Sequence, residues 1–204
     1  MTANNPTPWG AAERTKQIAD GIVRHSTAGH GGIVISEERH AAMPECIKAV
    51  TPWAGRLAYE EDQDWALVAL AFPEHFDHRS CWYALKTARS ATARSDHDWL
   101  PPDLREPSWA LDLAVYLETD AGRAMQAKAE RYAAETAGLY ELGSYATDGK
   151  TCRQWATNEA TGTEIVITYP SGSKTCFAGG AFALADVPTL FPGSTVTRLR
   201  GSEL

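Results

Sequence analysis

At 204 residues, 44% of them apolar and 22% charged, the chain is long enough to bury one sizeable core and too short for two large independent domains. No apolar run approaches the roughly 18 residues that a membrane-crossing helix requires, which excludes that class, and Met1 to Pro8 offer neither a basic start nor an apolar stretch for a secretory signal, so a cytoplasmic location is expected. The net charge of −7 is concentrated: residues 37–78 carry nine acids against three bases, whereas residues 79–94 carry Arg79, Lys86, Arg89 and Arg94 and no acid. Such neighbouring blocks are solvated or mutually facing surfaces, unless a partner reads the acidic one or a nucleic acid the basic one.

In chain order, Trp9 to Val23 has helical composition, and Gly21-Ile22-Val23 begins an extended piece. The β-branched run Ile33-Val34-Ile35 predicts a short buried strand. Ser36 before Glu37 and Glu38 predicts a helix start, with the hydroxyl on a free amide and the acids at the positive end of the dipole, and Pro44 ends or redirects that helix. The acids from Glu60 to Asp64 precede the apolar run from Ala66 to Phe72, which fits the first turn of a buried helix stopped at Pro73. Phe76, Trp82, Leu85 and Ala88 predict an amphipathic helix over about residues 74–94. After the break from Ser95 to Pro107, Trp109, Leu113, Leu117, Ala121 and Ala124 predict helix up to a C-cap at Gly138, in one piece or in two divided near Gly122.

Beyond Leu139 the pattern changes to strands at Thr151–Thr157, Thr163–Tyr169 and Lys174–Phe177, separated by turn residues. They predict an antiparallel meander in which Cys152 and Cys176 flank the middle strand, about 9–10 Å apart, too far for a disulfide. Cys46, Cys81, Cys152 and Cys176 are therefore expected to be reduced, small core residues. The expected fold is α+β: a mainly helical domain over residues 1–138 with a short N-terminal β element, and an antiparallel β-meander over residues 139–204 packed on it as one compact unit.

The densest local signal is Ser26-Thr27-Ala28-Gly29-His30-Gly31-Gly32, three glycines around a histidine. A glycine-rich loop can expose amides to a phosphate, which makes Gly29, Gly31, Gly32 and His25 candidate ligand contacts and His30, Thr27 and Glu61 a candidate general-base, donor and carboxylate set. The competing reading is a tight turn whose imidazole serves the backbone. His25-Ser26-Thr27 has the His-x-Thr form of a phosphoesterase, but the second such pair that would flank the phosphate is missing. His75, Asp77, His78 and Cys81 bring four donors of metal-ligand type together without a second ligand pair at matching spacing, so no metal and no cofactor is assigned. Glu60, Asp62 and Asp64 form the acidic patch that would meet a protein partner. Walker, dinucleotide-binding, zinc-finger and nucleophile-elbow motifs are absent from the sequence.

The series Thr7-Pro8-Trp9-Gly10, Gly21-Ile22-Val23, Ser26 to Gly32, Ser36-Glu37-Glu38-Arg39, Pro44, Tyr59-Glu60-Glu61-Asp62, Trp65-Ala66 and Phe72-Pro73 resembles an uncharacterised domain of phage- and plasmid-borne proteins, over about residues 7–100. The resemblance implies a mobile-element accessory protein in the host cytoplasm that acts on host processes or host defence. Two readings follow: a non-enzymatic protein that binds and modulates a host bacterial protein, or a small enzyme or ligand-binding protein acting on a nucleotide or nucleic acid through the Gly-His-Gly-Gly loop. The second requires His30, Thr27 and a carboxylate to converge in one cleft.

Overall fold

The computed structural model describes residues 6–93, 107–172 and 181–200. The chain divides into two units, residues 1–130 and 131–204.

The first unit opens with a two-strand hairpin, β1 (Pro6–Thr7) and β2 (Gly10–Ala11). An antiparallel sheet follows in the order β3 (Arg14–Ala19), β4 (Ile22–Ser26), β5 (Gly31–Ile35) and β6 (Ala58–Glu60). The helical body expected for this part is overturned by that four-stranded sheet, and the stretch read as helical from Trp9 supplies its first strand. The physical reason is pairing: Asp20-Gly21 makes a turn, with Gly21 at φ 70°, that folds β3 back onto the β-branched β4, and the ladder outweighs the weak helical preference of Ala, Glu and Lys.

Between β5 and β6 lie α1 (Glu37–Ala42) and α2 (Glu45–Lys48). The Ser36 hydroxyl accepts the Arg39 N–H at 3.1 Å, and Pro44 separates the two helices. After β6 come α3 (Trp65–Ala71), a 3-10 turn at Pro73–His75, and α4 (His78–Thr92). Residues 66–71 of α3 are all buried, and Cys81, Ala84, Leu85, Ala88 and Ala91 form the buried stripe of α4. With Ile22, Ile33 and Ile35 from the sheet they make one core. The helical stretch before Gly138 is two helices, α5 (Leu113–Leu117) and α6 (Asp120–Thr136), because the Thr119 hydroxyl caps the Gly122 N–H at 3.0 Å and restarts the chain. Gly138 does not take the left-handed conformation of a glycine C-cap. Tyr116 of α5 is fully buried and donates to the Leu70 carbonyl at 2.9 Å, while Lys128 of α6 donates to the Pro73 and Phe76 carbonyls at 2.7 and 2.6 Å.

The second unit is an antiparallel sheet in the order β10 (Ala181–Ala183), β7 (Leu139–Thr147), β8 (Thr151–Asn158), β9 (Thr163–Pro170) and β11 (Thr195–Arg200). The expected strand at Lys174–Phe177, and Cys176 with it, lies outside the described residues. One face of the sheet, with Tyr140, Ala156, Ile165, Ile167 and Phe182, packs on Val187 and Phe191 from and just beyond α7 (Val187–Leu190).

Candidate functional site

Strand alternation decides what the first sheet offers. In β4, Arg24 and Ser26 lie on the same face as the buried Ile22, and His25 lies on the other. Toward Ile22 that face is sealed by the core; toward Ser26 it opens into a cleft of about 550 Å³. Arg24, Ser26 and Glu61 line it from the sheet side, and Asp77, Arg79, Ser80 and Tyr83 from the first turns of α4, with Trp65 also on its wall. A smaller hollow of about 190 Å³ shares Arg24, Asp77 and Ser80 with the cleft and brings in Lys16. The β3–β4 register places Lys16 directly opposite Arg24.

The electrostatics of the cleft are mixed. Asp77 is the N-cap of α4: its Oδ1 accepts the Ser80 N–H at 2.7 Å, and hydrogen bonds from Ser80 hold its carboxyl below the usual carboxylate range. The positive end of α4 is thereby already capped. The Arg79 guanidinium lies over the Tyr83 ring, 5.6 Å from its centroid, within reach of a cation–π contact.

The glycine-rich loop is a closed turn. The Thr27 N–H donates to the His30 carbonyl at 2.9 Å, the Thr27 hydroxyl donates to the same carbonyl at 2.6 Å, and Oγ1 accepts the His30 N–H at 3.2 Å. These amides are used within the hairpin that joins β4 to β5. His30 is exposed at its tip, and Gly29 is exposed beside it. His25 meets Thr15 at 3.1 Å across the β3–β4 ladder, on the face away from the cleft. Gly31 and Gly32 are buried ladder positions: a Cβ on Gly31 would come within 2.6 Å of Glu61 Oε2, and one on Gly32 within 2.5 Å of the Trp9 ring. Of the candidate set, Glu61 and Gly32 line the cleft, while His30, Thr27 and Gly29 stay in the turn and His25 faces away.

The acidic run is spent unevenly. Glu60 turns back to accept the Asp62 and Gln63 amides at 2.7 and 3.3 Å. Asp64, only 7% exposed, makes no helix cap for α3; its Oδ2 accepts the Trp53 N–H at 2.7 Å. That bond fastens a four-residue turn, closed by the Gly55 N–H on the Pro52 carbonyl at 3.2 Å, on which Trp53 stands 79% exposed. From beneath, the Tyr59 hydroxyl donates to the Arg56 carbonyl at 3.3 Å; burial first, and the Asp64 charge second, push this phenol up to about 12. Asp62 and Glu61 remain exposed.

Around His75, the Cys81 thiol is buried, with Sγ 3.8 and 3.9 Å from the Pro73 and Phe76 carbonyls, and burial pushes it up to about 11, away from the thiolate that would ligate a metal. Among the described residues no three His, Cys, Asp or Glu side chains form a metal-holding group, and no helix is long and apolar enough to cross a membrane.

A family model described as "Domain of unknown function (DUF7007)" matches residues 2–106, just over half of the chain. The chain belongs to the DUF7007 family. The DUF7007 match takes in the first sheet, α1 to α4, the cleft and the Trp53 turn, and leaves the C-terminal sheet outside. No curated protein and no solved structure matches the chain.

Trp53, Lys16, Arg24, Trp65 and Tyr83 were not singled out as functional from sequence. The exposure of Trp53 carries no local signal, although Pro52 and Gly55 around it mark a turn. Reading Asp20-Gly21 as a hairpin turn would have put a basic residue from each strand on one sheet.

Proposed function

We propose that this DUF7007 chain is a phage- or plasmid-borne accessory protein, working in the host cytoplasm, that binds and modulates a host bacterial protein, as a counter-defence factor does. The observation that carries the reading is Trp53. A large aromatic side chain at 79% exposure gains nothing for the fold, yet its turn is fixed by a buried carboxylate. With the backbone at Trp53 fixed before contact, only the side-chain rotamer is left to order on binding, which suits a binding hot spot. Tyr145 is comparably exposed, at 70%, but stands within the β7–β8 ladder rather than on a projecting turn. Asp62, two residues from that clamp, would favour a partner with a basic rim around an apolar pocket.

The test is affinity capture from bacterial lysate with the wild-type chain, a Trp53→Ala variant and a His30→Ala variant. The reading expects a stoichiometric host protein held by the wild type and His30→Ala and weakened at least about 30-fold by Trp53→Ala, the effect of losing a hot spot of about 2 kcal/mol. Retention of the same protein by Trp53→Ala at undiminished affinity would overturn it.

A further inference from the structure

We propose that the cleft between β4 and α4 binds a nucleoside phosphate of mononucleotide size, with the phosphate at Lys16 and Arg24 and the base toward Tyr83 and Trp65. The argument starts from the ladder. Lys16 and Arg24 are direct cross-strand partners, which places their Cβ atoms about 4.5–5.5 Å apart on one face, and like charges so placed are destabilising. Outside the backbone ladder, neither side chain makes a hydrogen bond or ion pair with another of the described residues. Both border the same hollow, where the carboxylate of Asp77 is committed to the Ser80 amide. An anion seated between the two cations would relieve their repulsion, and the Ser26 and Ser80 hydroxyls on the cleft wall can donate to its oxygens.

The remainder of the cleft selects what the anion is attached to. Tyr83 lies three residues along α4 from Ser80, about 4.5 Å farther from the cationic end at 1.5 Å per residue. Trp65 supplies ring surface, Tyr83 adds the part of its ring that the Arg79 guanidinium does not cover, and Glu61 supplies an acceptor for ribose hydroxyls or a base amino group. A volume of about 550 Å³ suits a single small ligand. A bare phosphate would leave the rings and Glu61 unused. A nucleic-acid strand would bring further phosphates against Glu61 and against a chain of net charge −7. This site is separate from the Trp53 turn, so it stands whether or not that turn binds a partner.

The experiment is isothermal titration of the full chain with each of the four ribonucleoside 5′-monophosphates, with a nucleoside, with inorganic phosphate and with a short single-stranded oligonucleotide. Saturable binding is expected for at least one monophosphate, tighter than for its nucleoside or for phosphate. Arg24→Gln and Lys16→Gln, both at exposed positions, should each weaken it about 10- to 100-fold, whereas Lys150→Gln, at an exposed position that does not line the cleft, should leave it unchanged. Four results would each overturn the proposal: no saturable heat from any monophosphate, equal binding of phosphate alone, tighter binding of the oligonucleotide, or undiminished binding by both cation variants.

Discussion

Replacing Asp64 tests the link between the buried core and the displayed tryptophan. In Asp64→Ala the Trp53 N–H loses a charge-assisted acceptor at 2.7 Å, from a carboxylate that is 7% exposed. A hydrogen bond to an ionised group contributes about 1.5–3 kcal/mol, so urea unfolding should show a loss in that range. Asp64→Asn keeps an acceptor and removes only the charge, and should lose about half as much. Both variants should also move Tyr59. Its phenol stands at about 12 because burial raises it most and the Asp64 charge raises it further, so removing the charge lowers the midpoint while burial keeps it above 10.0. Alkaline absorbance titration, with Tyr59→Phe identifying which of the seven tyrosines is read, measures the shift. A stability loss below about 0.5 kcal/mol in Asp64→Ala, together with an unmoved Tyr59 midpoint, would refute the idea that this carboxylate clamps the turn.

Three further outcomes follow from the packing. Gly122→Ala sets a methyl against the Tyr116 carbonyl and 2.7 Å from Leu117 Cα, contacts with backbone that cannot give easily, so thermal unfolding should register a loss of about 1–3 kcal/mol despite the better helix propensity of alanine. Tyr116→Phe removes the hydroxyl that serves the Leu70 carbonyl in a fully buried position, and a loss of about 1–2 kcal/mol is expected in the same assay. Cys81 rises from 9.0 to about 11 and Tyr59 from 10.0 to about 12 on folding, so the folded state holds those protons longer than the unfolded chain. Their contribution is present below pH 9 and is lost as pH rises to 12, about 2–3 kcal/mol for each group at the limit, and Cys81→Ala should flatten the portion between pH 9 and 11 in unfolding curves taken across that range.

How far the fold could be read from sequence varies with how local each signal is. The Ser36 cap and the buried run from Ala66 depend on neighbours in the chain, and both form where expected. The division between α5 and α6 rests on one hydroxyl, Thr119, whose cap competes with a continuous helix by too little for pattern alone to decide. β3 departs from its local pattern because Ala, Glu and Lys favour helix locally while the ladder to β4 is a non-local gain. Even with Asp20-Gly21 taken as the turn, an unbroken register would set Gln17 opposite Arg24; the irregularity between Gln17 and Ala19 puts Lys16 there instead. The Gly-His-Gly-Gly signal was real as backbone geometry, but the Thr27 hydroxyl consumes the donors that a ligand would need. Asp64 shows the reverse case: its place before α3 suggests a cap, and only the fold shows that it serves a turn eleven residues away.

The central claim, that the Trp53 turn is the contact surface, is tested most directly by site-specific photo-crosslinking in bacterial cells, with a photoreactive residue placed at position 53 and, separately, at the similarly exposed position 145. The account predicts a single-protein adduct of one-to-one mass from position 53 and none with that protein from position 145. No adduct from position 53, or an adduct with the same protein from position 145 alone, would contradict it.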